Sequence, residues 1–335
     1  MAKKRALITG IGGQDGSYLT EYLLSRDYEV FGMVRRHSVA ENQDSRNKYV
    51  EHKINTFYGD LLDVPSLTKI FQESKPHEIY NLGAMSHVRI SFDIPSFTIQ
   101  TNALGVLNML EMYKAIVPKA KFYQASSSEM FGNSIDNDGC QRLTTPMTPV
   151  SPYGCAKLLG YNLVRHYRHA YGLHACNGIL FNHESPRRGS NFVTNKVVKT
   201  AVEIKKGLKN KLELGNLDSY RDWGHSKDYV RAMHMILNHP TPEEWIVSTG
   251  KTNSVRGLCK YVFNYLGLDY EDYVVQNPKF LRPEELQYLK GDSSKIKEVL
   301  KWKPEYTFES MMDEMIEYWM SETADFEKEI QKYDM

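Results

Sequence analysis

The chain has few cysteines, no long apolar run and almost no excess of charge of either sign. Its 335 residues include only 4 cysteines, and Cys140, Cys155, Cys176 and Cys259 show no CxxC or other metal-ligand spacing. We therefore expect reduced, mostly structural thiols and no metal site. The 42 basic and 41 acidic residues leave a formal charge of +1, which gives no general electrostatic reason to expect nucleic acid or an anionic membrane as a partner.

Two further absences concern location and architecture. No apolar run reaches the length of a transmembrane helix, and the N-terminal residues MAKKR lead into a strand-like run instead of the apolar core of a signal peptide. We therefore expect a cytoplasmic protein with no membrane association. No internal repeat or low-complexity segment is present, and the length is typical of two domains, or of one large domain with an appended lobe.

Short β-rich runs alternate with helical patterns through the first half of the chain. The runs are ALIT, EVFGMV, EIYNLGA, KFYQAS and CNGILF, and the helical patterns cover 18–25, 66–74, 97–116 and 152–171. This alternation predicts an α/β fold with a Rossmann-type doubly wound parallel sheet. After about Asn182 the rhythm changes, and runs such as EWIVSTG predict a smaller C-terminal α/β substrate lobe. The predicted divisions are 1–185 with some later segments crossing back, 186–320 for the lobe, and 321–335 for a charged tail.

The segment KKRALITGIGGQDG passes from a strand-like run into a glycine-rich turn. Gly10, Gly13 and Gly16 are spaced three apart, and Gln14 and Asp15 lie between the last two. The spacing predicts the strand-to-helix turn at which a dinucleotide pyrophosphate meets a helix N-terminus. A glycine-rich turn of another α/β protein has the same pattern, so this motif alone leaves the function open.

Hydroxyl and carboxyl groups follow the fifth predicted strand, and a Tyr-Lys pair follows them. Ser127 and Glu129 lie in QASSSEMFG, at the carboxyl edge of the predicted sheet, where open α/β folds bind ligands. Tyr153 and Lys157 are four apart in a helical pattern, so they share a face. A nearby ammonium group favours the phenolate, and we therefore expect Lys157 to lower the pKa of Tyr153 so that it can act as a general base. YxxxK alone also occurs by chance on solvated helices.

Arg35 and Arg36 end the second predicted strand, where an NAD-binding protein usually has an acidic residue. Guanidinium groups pair with a 2′-phosphate, so the sequence predicts NADP, the alternative being an exposed basic loop. We expect further cofactor contacts after the third and fourth predicted strands, from Asp60, Leu61, Leu82, Gly83, Ala84 and Ser86.

Together these motifs resemble the extended short-chain dehydrogenase/reductase family. ASSSE is similar to the Thr-Ser-Glu segment of its sugar-nucleotide 4,6-dehydratases, with Ser127 in place of threonine. Segments between residue 7 and about residue 320 are similar to the GDP-mannose 4,6-dehydratase family, namely NLGAMSHVRISF, LFNHESPRRG, NFVTNK, LGNLDSYRDWGHSKDYV and FLRPEEL. The resemblance implies that GDP-mannose loses water to give GDP-4-dehydro-6-deoxymannose, with NADP as cofactor.

The resemblance also implies roles for individual residues. Tyr153, aided by Ser127 and Lys157, takes the proton of the C4 hydroxyl, and Glu129 takes the C5 proton and helps the C6 hydroxyl to leave. His183 and Arg188 are implied as cofactor contacts. A homotetramer built from dimers is implied as well, with the loop 35–45 reaching a neighbour's cofactor.

Polar and basic residues of the second lobe are candidates for the sugar nucleotide. Lys196, Arg221 and Arg282 supply the positive charge that a diphosphate requires. A salt bridge from Arg221 to Asp222 or Asp228 is the structural alternative. The remaining substrate candidates are Ser86, Ser127, Asn182, Leu214, Gly215, Asn216 and Glu285; the resemblance places Glu285 near the ribose and 214–216 near guanine.

The chain departs from the family pattern at several positions. GITGQDG is GIGGQDG here, and Ser190 and Asn195 each replace a charged residue in PRRGENFVTRK. A reductase or epimerase of a nucleotide sugar, or additional reduction of the 4-keto product, stays open as an alternative. The presence of Glu129 argues against the reductase and the epimerase, because neither reaction needs a carboxylate at this position. A non-catalytic NADP-binding regulator is a third reading, against which the four intact reactive residues argue.

Overall fold

A seven-stranded parallel sheet forms the centre of the fold. The structure, a computed structural model, describes residues 3–36 and 46–321. The strands are β1 (Arg5–Thr9), β2 (Glu29–Val34), β3 (Ile54–Tyr58), β4 (Glu78–Asn81), β5 (Lys121–Ser127), β6 (His174–Leu180), β7 (Asn182–Glu184), β8 (Leu212–Leu214), β9 (Tyr220–Arg221), β10 (Trp223–His225), β11 (Glu244–Val247), β12 (Asn253–Ser254) and β13 (Val274–Gln276). The large sheet has the order β11-β6-β5-β4-β1-β2-β3, and each neighbouring pair is parallel. The predicted doubly wound fold is confirmed, with its topological switch between β1 and β4.

Helices connect the strands and begin at recognisable caps. Asp63 accepts a hydrogen bond from the backbone N–H of Ser66 at 3.1 Å, as its position before Pro65 predicts. No helix within 3–36 or 46–321 is long and apolar enough to cross a bilayer. The helices are α1 (Gln14–Leu24), α2 (Val64–Ser74), α3 (Val88–Ser91), α4 (Pro95–Ile99), α5 (Gly105–Ile116), α6 (Pro152–Tyr171), α7 (Val193–Lys205), α8 (Ser226–Asn238), α9 (Val255–Tyr265), α10 (Ser294–Val299) and α11 (Phe308–Met320), with short 3₁₀ turns at Glu51–Lys53, Ser128–Phe131, Tyr270–Asp272 and Pro278–Phe280.

The sheet is buried on both faces. On one face α1 and α8 pack together, and Leu19 and Ile236 are fully buried there. On the other face α2, α5 and α6 form a second core around Phe71 and Leu110. Each fully buried aliphatic or aromatic side chain contributes about 2 kcal/mol of hydrophobic stabilisation. This burial explains why β1 and β2 are rich in apolar residues, whereas the edge strand β3 is partly exposed.

A further hydrophobic core lies in the C-terminal half, where α7, α9 and α11 pack around β8 and β13. The expectation that EWIVSTG belongs to this lobe is wrong, because β11 pairs with β6 and forms an edge of the large sheet. Helix α8 also returns to the large sheet and packs on α1. The division at residue 185 stays a prediction, and the predicted tail lies outside the described residues from 322 onward.

The pattern at 97–116 predicts one continuous helix, but a π-helical turn at Gln100–Leu104 separates α4 from α5. Asn102 lies in this turn, and its side chain accepts from the backbone N–H of Met85 and donates to its carbonyl, both at 2.8 Å. The amide thus fixes the segment after β4 that lines the large cleft described below. π turns of this kind often occur at functional sites.

Candidate active site

The glycine turn between β1 and α1 fits a pyrophosphate. Gly10 has φ +69, and its carbonyl oxygen accepts the N–H of Gly13 at 3.0 Å. A Cβ atom on Gly16 would lie 2.3 Å from that carbonyl oxygen, so only glycine fits. No side chain caps α1 at Gly13, and the first-turn N–H groups of a helix have no partner within the helix. The turn therefore offers backbone donors at a helix N-terminus, which is the arrangement that binds phosphate groups.

The other predicted cofactor residues follow the carboxyl ends of β2, β3 and β4. Arg35 and Arg36 come directly after β2, and residues 37–45 of the predicted interface loop lie outside the described residues. Asp60 accepts the N–H of Leu62 at 2.9 Å, and the Gly83 N–H donates to Thr9 Oγ1 at 2.9 Å. The side chain of Leu61 is buried. These strand ends surround the crevice at the topological switch.

Ser127 and Glu129 are positioned by the end of β5. Ser127 is the last residue of the strand, and its Oγ accepts the N–H of Glu129 at 3.2 Å, which starts the 3₁₀ turn Ser128–Phe131. Helix α6 begins opposite this turn, with Ser151 accepting the N–H of Gly154 at 3.0 Å. A Cβ atom on Gly154 would lie 2.8 Å from the Glu129 carbonyl oxygen. Glycine at this position therefore lets the start of α6 approach Glu129.

Tyr153 and Lys157 lie on the inner face of α6, as the spacing predicts. Lys157 Nζ donates to the Ala125 carbonyl at 2.9 Å and lies 5.7 Å from the centre of the Tyr153 ring. Both side chains are buried. Burial raises the pKa of Tyr153 to about 12, although a hydrogen bond with Ser127 acts in the opposite direction and lowers it. Burial likewise lowers the pKa of Lys157 to about 8.

These electrostatics correct one sequence expectation. Within the protein itself the pKa of Tyr153 is raised and not lowered, because burial outweighs the opposing influences, and Lys157 donates its hydrogen bond to a strand carbonyl. Ser127 is the group whose hydrogen bond favours the phenolate. Lys157 instead presents a buried ammonium group beneath the phenol.

Glu129 faces two guanidinium groups across the cleft. Its Oε1 lies 3.4 Å from Nη1 of Arg282, and Oε2 is buried without a hydrogen-bond partner among the described residues. Arg221 interacts electrostatically with Glu129, and burial lowers the pKa of Arg221 to about 10. The salt-bridge alternative for Arg221 is not observed: its Nη1 donates to the Tyr220 carbonyl at 2.8 Å.

Asp222 and Asp228, the acids of that alternative, have other partners. Asp222 accepts from the backbone of Thr249 and Gly250, both at 2.8 Å. Asp228 pairs with Arg231 at 2.8 Å. The Arg221 guanidinium therefore remains directed at the cleft.

A cleft of about 780 Å³ brings most of the predicted residues together. The reactive candidates Ser127, Glu129, Tyr153 and Lys157 line it together with the following cofactor and substrate candidates: Asp15, Leu82, Ala84, Ser86, Asn182, His183, Arg188, Lys196, Leu214, Gly215, Asn216, Arg221, Arg282 and Glu285. The remaining candidates lie outside its lining: Gly10, Gly13, Gln14, Gly16, Arg35, Arg36, Asp60, Leu61 and Gly83.

The lobe side of the cleft combines cations with close backbone packing. Lys196 Nζ lies 3.8 Å from the centre of the Phe280 ring, and burial lowers the pKa of this lysine. A Cβ atom on Gly215 would lie 2.7 Å from the Phe280 carbonyl oxygen, so 214–216 lies directly against the turn Pro278–Phe280. Glu285 accepts the N–H of Arg282 at 2.8 Å.

Sequence reasoning missed several residues that line the cleft. His87 caps α3 by accepting the N–H of Ile90, and its ring lies 5.3 Å from that of Phe192. Lys199 lies one helical turn after Lys196 on α7, a spacing that the sequence does show. Phe280 is the first residue of the FLRPEEL segment, but nothing in the sequence assigned it a role at the cleft.

Asn195 is one of the departures from the family pattern, and its side-chain amide forms two hydrogen bonds within the protein. Its Nδ2 donates to the Arg188 carbonyl and its Oδ1 accepts from Trp319 Nε1, both at 2.6 Å. Asn195 is 1% exposed. Its uncharged amide therefore connects the Arg188 segment to α11 within the protein.

Three comparisons with known proteins show which family and which fold this chain resembles. A family model described as GDP-mannose 4,6 dehydratase matches residues 7–315. GDP-mannose 4,6 dehydratase 2 of Arabidopsis thaliana is 46% identical over 325 residues, covering 94% of this chain and 86% of that protein. The Homo sapiens GDP-mannose 4,6 dehydratase is 44% identical, covering 94% and 92%. Among solved structures, dTDP-glucose 4,6-dehydratase of Bacillus anthracis in complex with NAD superposes with a TM-score of 0.82 at 22% identity, covering 96% and 98%.

Proposed function

The chain belongs to the GDP-mannose 4,6-dehydratase family, and from this premise we propose that it dehydrates GDP-mannose to GDP-4-dehydro-6-deoxymannose at the cleft of Ser127, Glu129, Tyr153 and Lys157, with NADP as cofactor. The observation that carries the proposal is that these four residues line one cleft together with the lobe cations Lys196, Arg221 and Arg282. Family membership supports the reaction, and the cleft supports the assignment of residues.

The cofactor is held by the glycine turn and the strand ends around it. The turn of Gly10, Gly13 and Gly16 suits a pyrophosphate, and at Gly16 the Gly10 carbonyl oxygen leaves no room for a Cβ. Arg35 and Arg36 at the end of β2 favour a 2′-phosphate, which supports NADP over NAD. When bound, the nicotinamide supplies the acceptor for hydride from sugar C4 and its later return to C6.

Tyr153 and Ser127 handle the proton of the C4 hydroxyl. Their hydrogen bond favours the phenolate of Tyr153, which accepts this proton as C4 becomes a ketone. The buried Lys157 ammonium stabilises the negative charge of the phenolate from below. Tyr153 then returns the same proton to C5 at the end of the cycle.

Glu129 handles the elimination. The 4-ketone acidifies C5–H, and the Glu129 carboxylate accepts that proton. The protonated carboxyl donates this proton to the C6 hydroxyl, the C6–O bond breaks so that water leaves, and a C5–C6 double bond forms. The buried position of Glu129 excludes bulk water from these proton transfers. Because Glu129 accepts one proton and donates one proton, it ends the elimination as the carboxylate with which it began.

The cations Lys196, Arg221 and Arg282 bind the diphosphate, with 214–216 near guanine and Glu285 near the ribose. Ser86 and Asn182 contact the sugar. His183 and Arg188 belong to the cofactor side. The proposal also includes a cytoplasmic homotetramer, a dimer of dimers.

The first experiment is to incubate the purified protein with GDP-mannose and catalytic NADP, and to weigh the nucleotide sugar by mass spectrometry. A product lighter by one water, without net accumulation of NADPH, is the expected result. Turnover of another nucleotide sugar in place of GDP-mannose would contradict the substrate, and reduction or epimerisation without loss of water would favour the alternative chemistry.

A further inference from the structure

The contact between Arg282 and Glu129 is long and incomplete. Arg282 Nη1 and Glu129 Oε1 are 3.4 Å apart, beyond the usual range of a charge-assisted hydrogen bond. Oε2 of the same carboxylate is buried and has no hydrogen-bond partner among the described residues. A guanidinium group can bind a carboxylate through two parallel hydrogen bonds, and only one weak contact is formed here.

Arg282 and Arg221 differ in how firmly each is held. The Arg221 side chain is buried, and its guanidinium donates to the Tyr220 carbonyl. Arg282 is anchored by its backbone, whose N–H donates to Glu285 at 2.8 Å, while its side chain is 24% exposed at the cleft. The guanidinium of Arg282 can therefore turn about a fixed main chain.

A nucleoside diphosphate sugar brings two negative charges into this cleft. A phosphate oxygen pair suits the guanidinium fork better than the single long contact to Glu129 does. A guanidinium that turns to the phosphates leaves the Glu129 carboxylate without its neighbouring cation, at the place where the sugar arrives.

We propose that Arg282 exchanges partners: it contacts the Glu129 carboxylate in the free protein and the diphosphate in the complex, so that binding of the diphosphate releases Glu129 for proton transfer. This inference rests on the proposed function, since Glu129 is the elimination carboxylate there. Arg282 is thus a positioning residue that makes the base available only when a nucleotide is bound.

The exchange predicts a thermodynamic coupling between Glu129 and Arg282 in binding of GDP, which is not turned over. In Glu129→Gln, the Arg282 guanidinium no longer has to break a contact with a carboxylate before it binds the diphosphate. We therefore expect GDP to bind about fivefold more tightly, as measured by calorimetry. In the Arg282→Met background, the same Glu129→Gln change has no further effect on the dissociation constant. Arg282→Lys, which keeps the charge without the fork, retains part of the coupling.

Each alternative outcome overturns the exchange. Equal tightening in both backgrounds means that Glu129 only repels the diphosphate. Weaker binding in Glu129→Gln that depends on Arg282 means that the guanidinium bridges both anions at once, and unchanged binding means that no coupling exists. Glu305→Gln, at an exposed carboxylate paired with Arg231, is the matched control and leaves GDP binding unchanged. Turnover of GDP-mannose by the unmodified protein is measured separately, so failure of the proposed function is distinguished from failure of the exchange.

Discussion

His183 is held between two hydrogen-bond acceptors, the carboxylate of Asp15 and the carbonyl of Phe181. Nε2 lies 2.7 Å from Asp15 Oδ2, and Nδ1 lies 2.8 Å from the carbonyl oxygen. Since neither partner can donate when Asp15 is ionised, both ring nitrogens carry a proton and the imidazole is cationic. Burial opposes this charge, but Asp15 outweighs it and raises the pKa of His183. For Asp15, burial is likewise outweighed by His183, and its pKa is lowered.

Breaking this pair should destabilise the fold in a pH-dependent way. His183→Gln leaves the Asp15 carboxylate buried without its cation, and we expect the free energy of unfolding to fall by about 3 kcal/mol. Because the pKa of His183 is raised in the folded state, its contribution is complete below the unfolded value of about 6.5 and is lost as pH rises through the folded value.

Chemical denaturation of both proteins at about pH 6 and about pH 9 measures this effect. The stability difference between wild type and His183→Gln should be larger at the lower pH. Asp15→Asn combined with His183→Gln should recover part of the loss, and His169→Gln, at an exposed histidine of α6, should change nothing. A pH-independent difference would argue against a cationic His183.

Removing the carboxyl base should stop elimination without stopping binding. In Glu129→Gln the amide cannot accept the C5 proton, and we expect the rate of water loss to fall by about 10³-fold. GDP binding persists, since the lobe cations remain. Mass spectrometry of the nucleotide sugar gives the readout, and Glu309→Gln, at an exposed carboxylate of α11, is the control. Water loss at the normal rate in Glu129→Gln would remove this residue from the mechanism.

Ser127 should set the pH at which Tyr153 becomes active. Ser127→Ala removes the hydrogen bond that lowers the Tyr153 pKa, so the acidic limb of the pH-rate profile should move to higher pH and the rate at neutral pH should fall by about 10²-fold. Ser127→Thr keeps the hydroxyl, and its profile should match that of wild type. An unshifted limb in Ser127→Ala would show that another group favours the phenolate.

The preference between cofactors should depend on the end of β2. Replacing both Arg35 and Arg36 by alanine removes the charges proposed for the 2′-phosphate, and we expect the preference for NADP over NAD to fall by about 10²-fold. Equilibrium binding of each cofactor to the variant and to wild type gives the ratio. NAD binding itself should change little, and an equal loss for both cofactors would indicate a role in folding of the strand end.

A second ion pair, at the half-buried Glu314, should stabilise the protein at neutral pH. Glu314 Oε2 lies 2.9 Å from His225 Nε2, and Oε1 lies 2.8 Å from Lys227 Nζ. Burial opposes ionisation, but these partners prevail and lower the pKa of Glu314 to about 2. Glu314→Gln should lower the free energy of unfolding by about 2 kcal/mol at neutral pH.

The depressed Glu314 pKa fixes the direction of the pH dependence. Its contribution is present above the unfolded value of about 4.5 and is lost as pH falls through about 2. The unfolding curves of wild type and Glu314→Gln should therefore converge in strong acid. A constant difference down to that pH would mean that the carboxylate does not act through its charge.

Local patterns account for what the sequence predicted well. Gly10, Gly13 and Gly16 are close in the chain, and the helix period alone places Tyr153 and Lys157 on one face. Contacts between distant segments could not be predicted from the sequence, because a short apolar run such as EWIVSTG does not reveal which strand it pairs with. The Arg282 contact to Glu129 was missed for the same reason, since the two residues are 153 positions apart in the chain. The Tyr153 pKa depends on burial, which only the folded protein creates.

The return of β11 to the large sheet has a consequence for the order in which the protein forms during synthesis. Until Val247 has left the ribosome, β6 stands as an exposed sheet edge and α1 lacks the cover of α8. The nascent N-terminal half therefore stays incomplete between the synthesis of Leu180 and that of Val247, and in this interval its unpaired strand edge can associate with other chains.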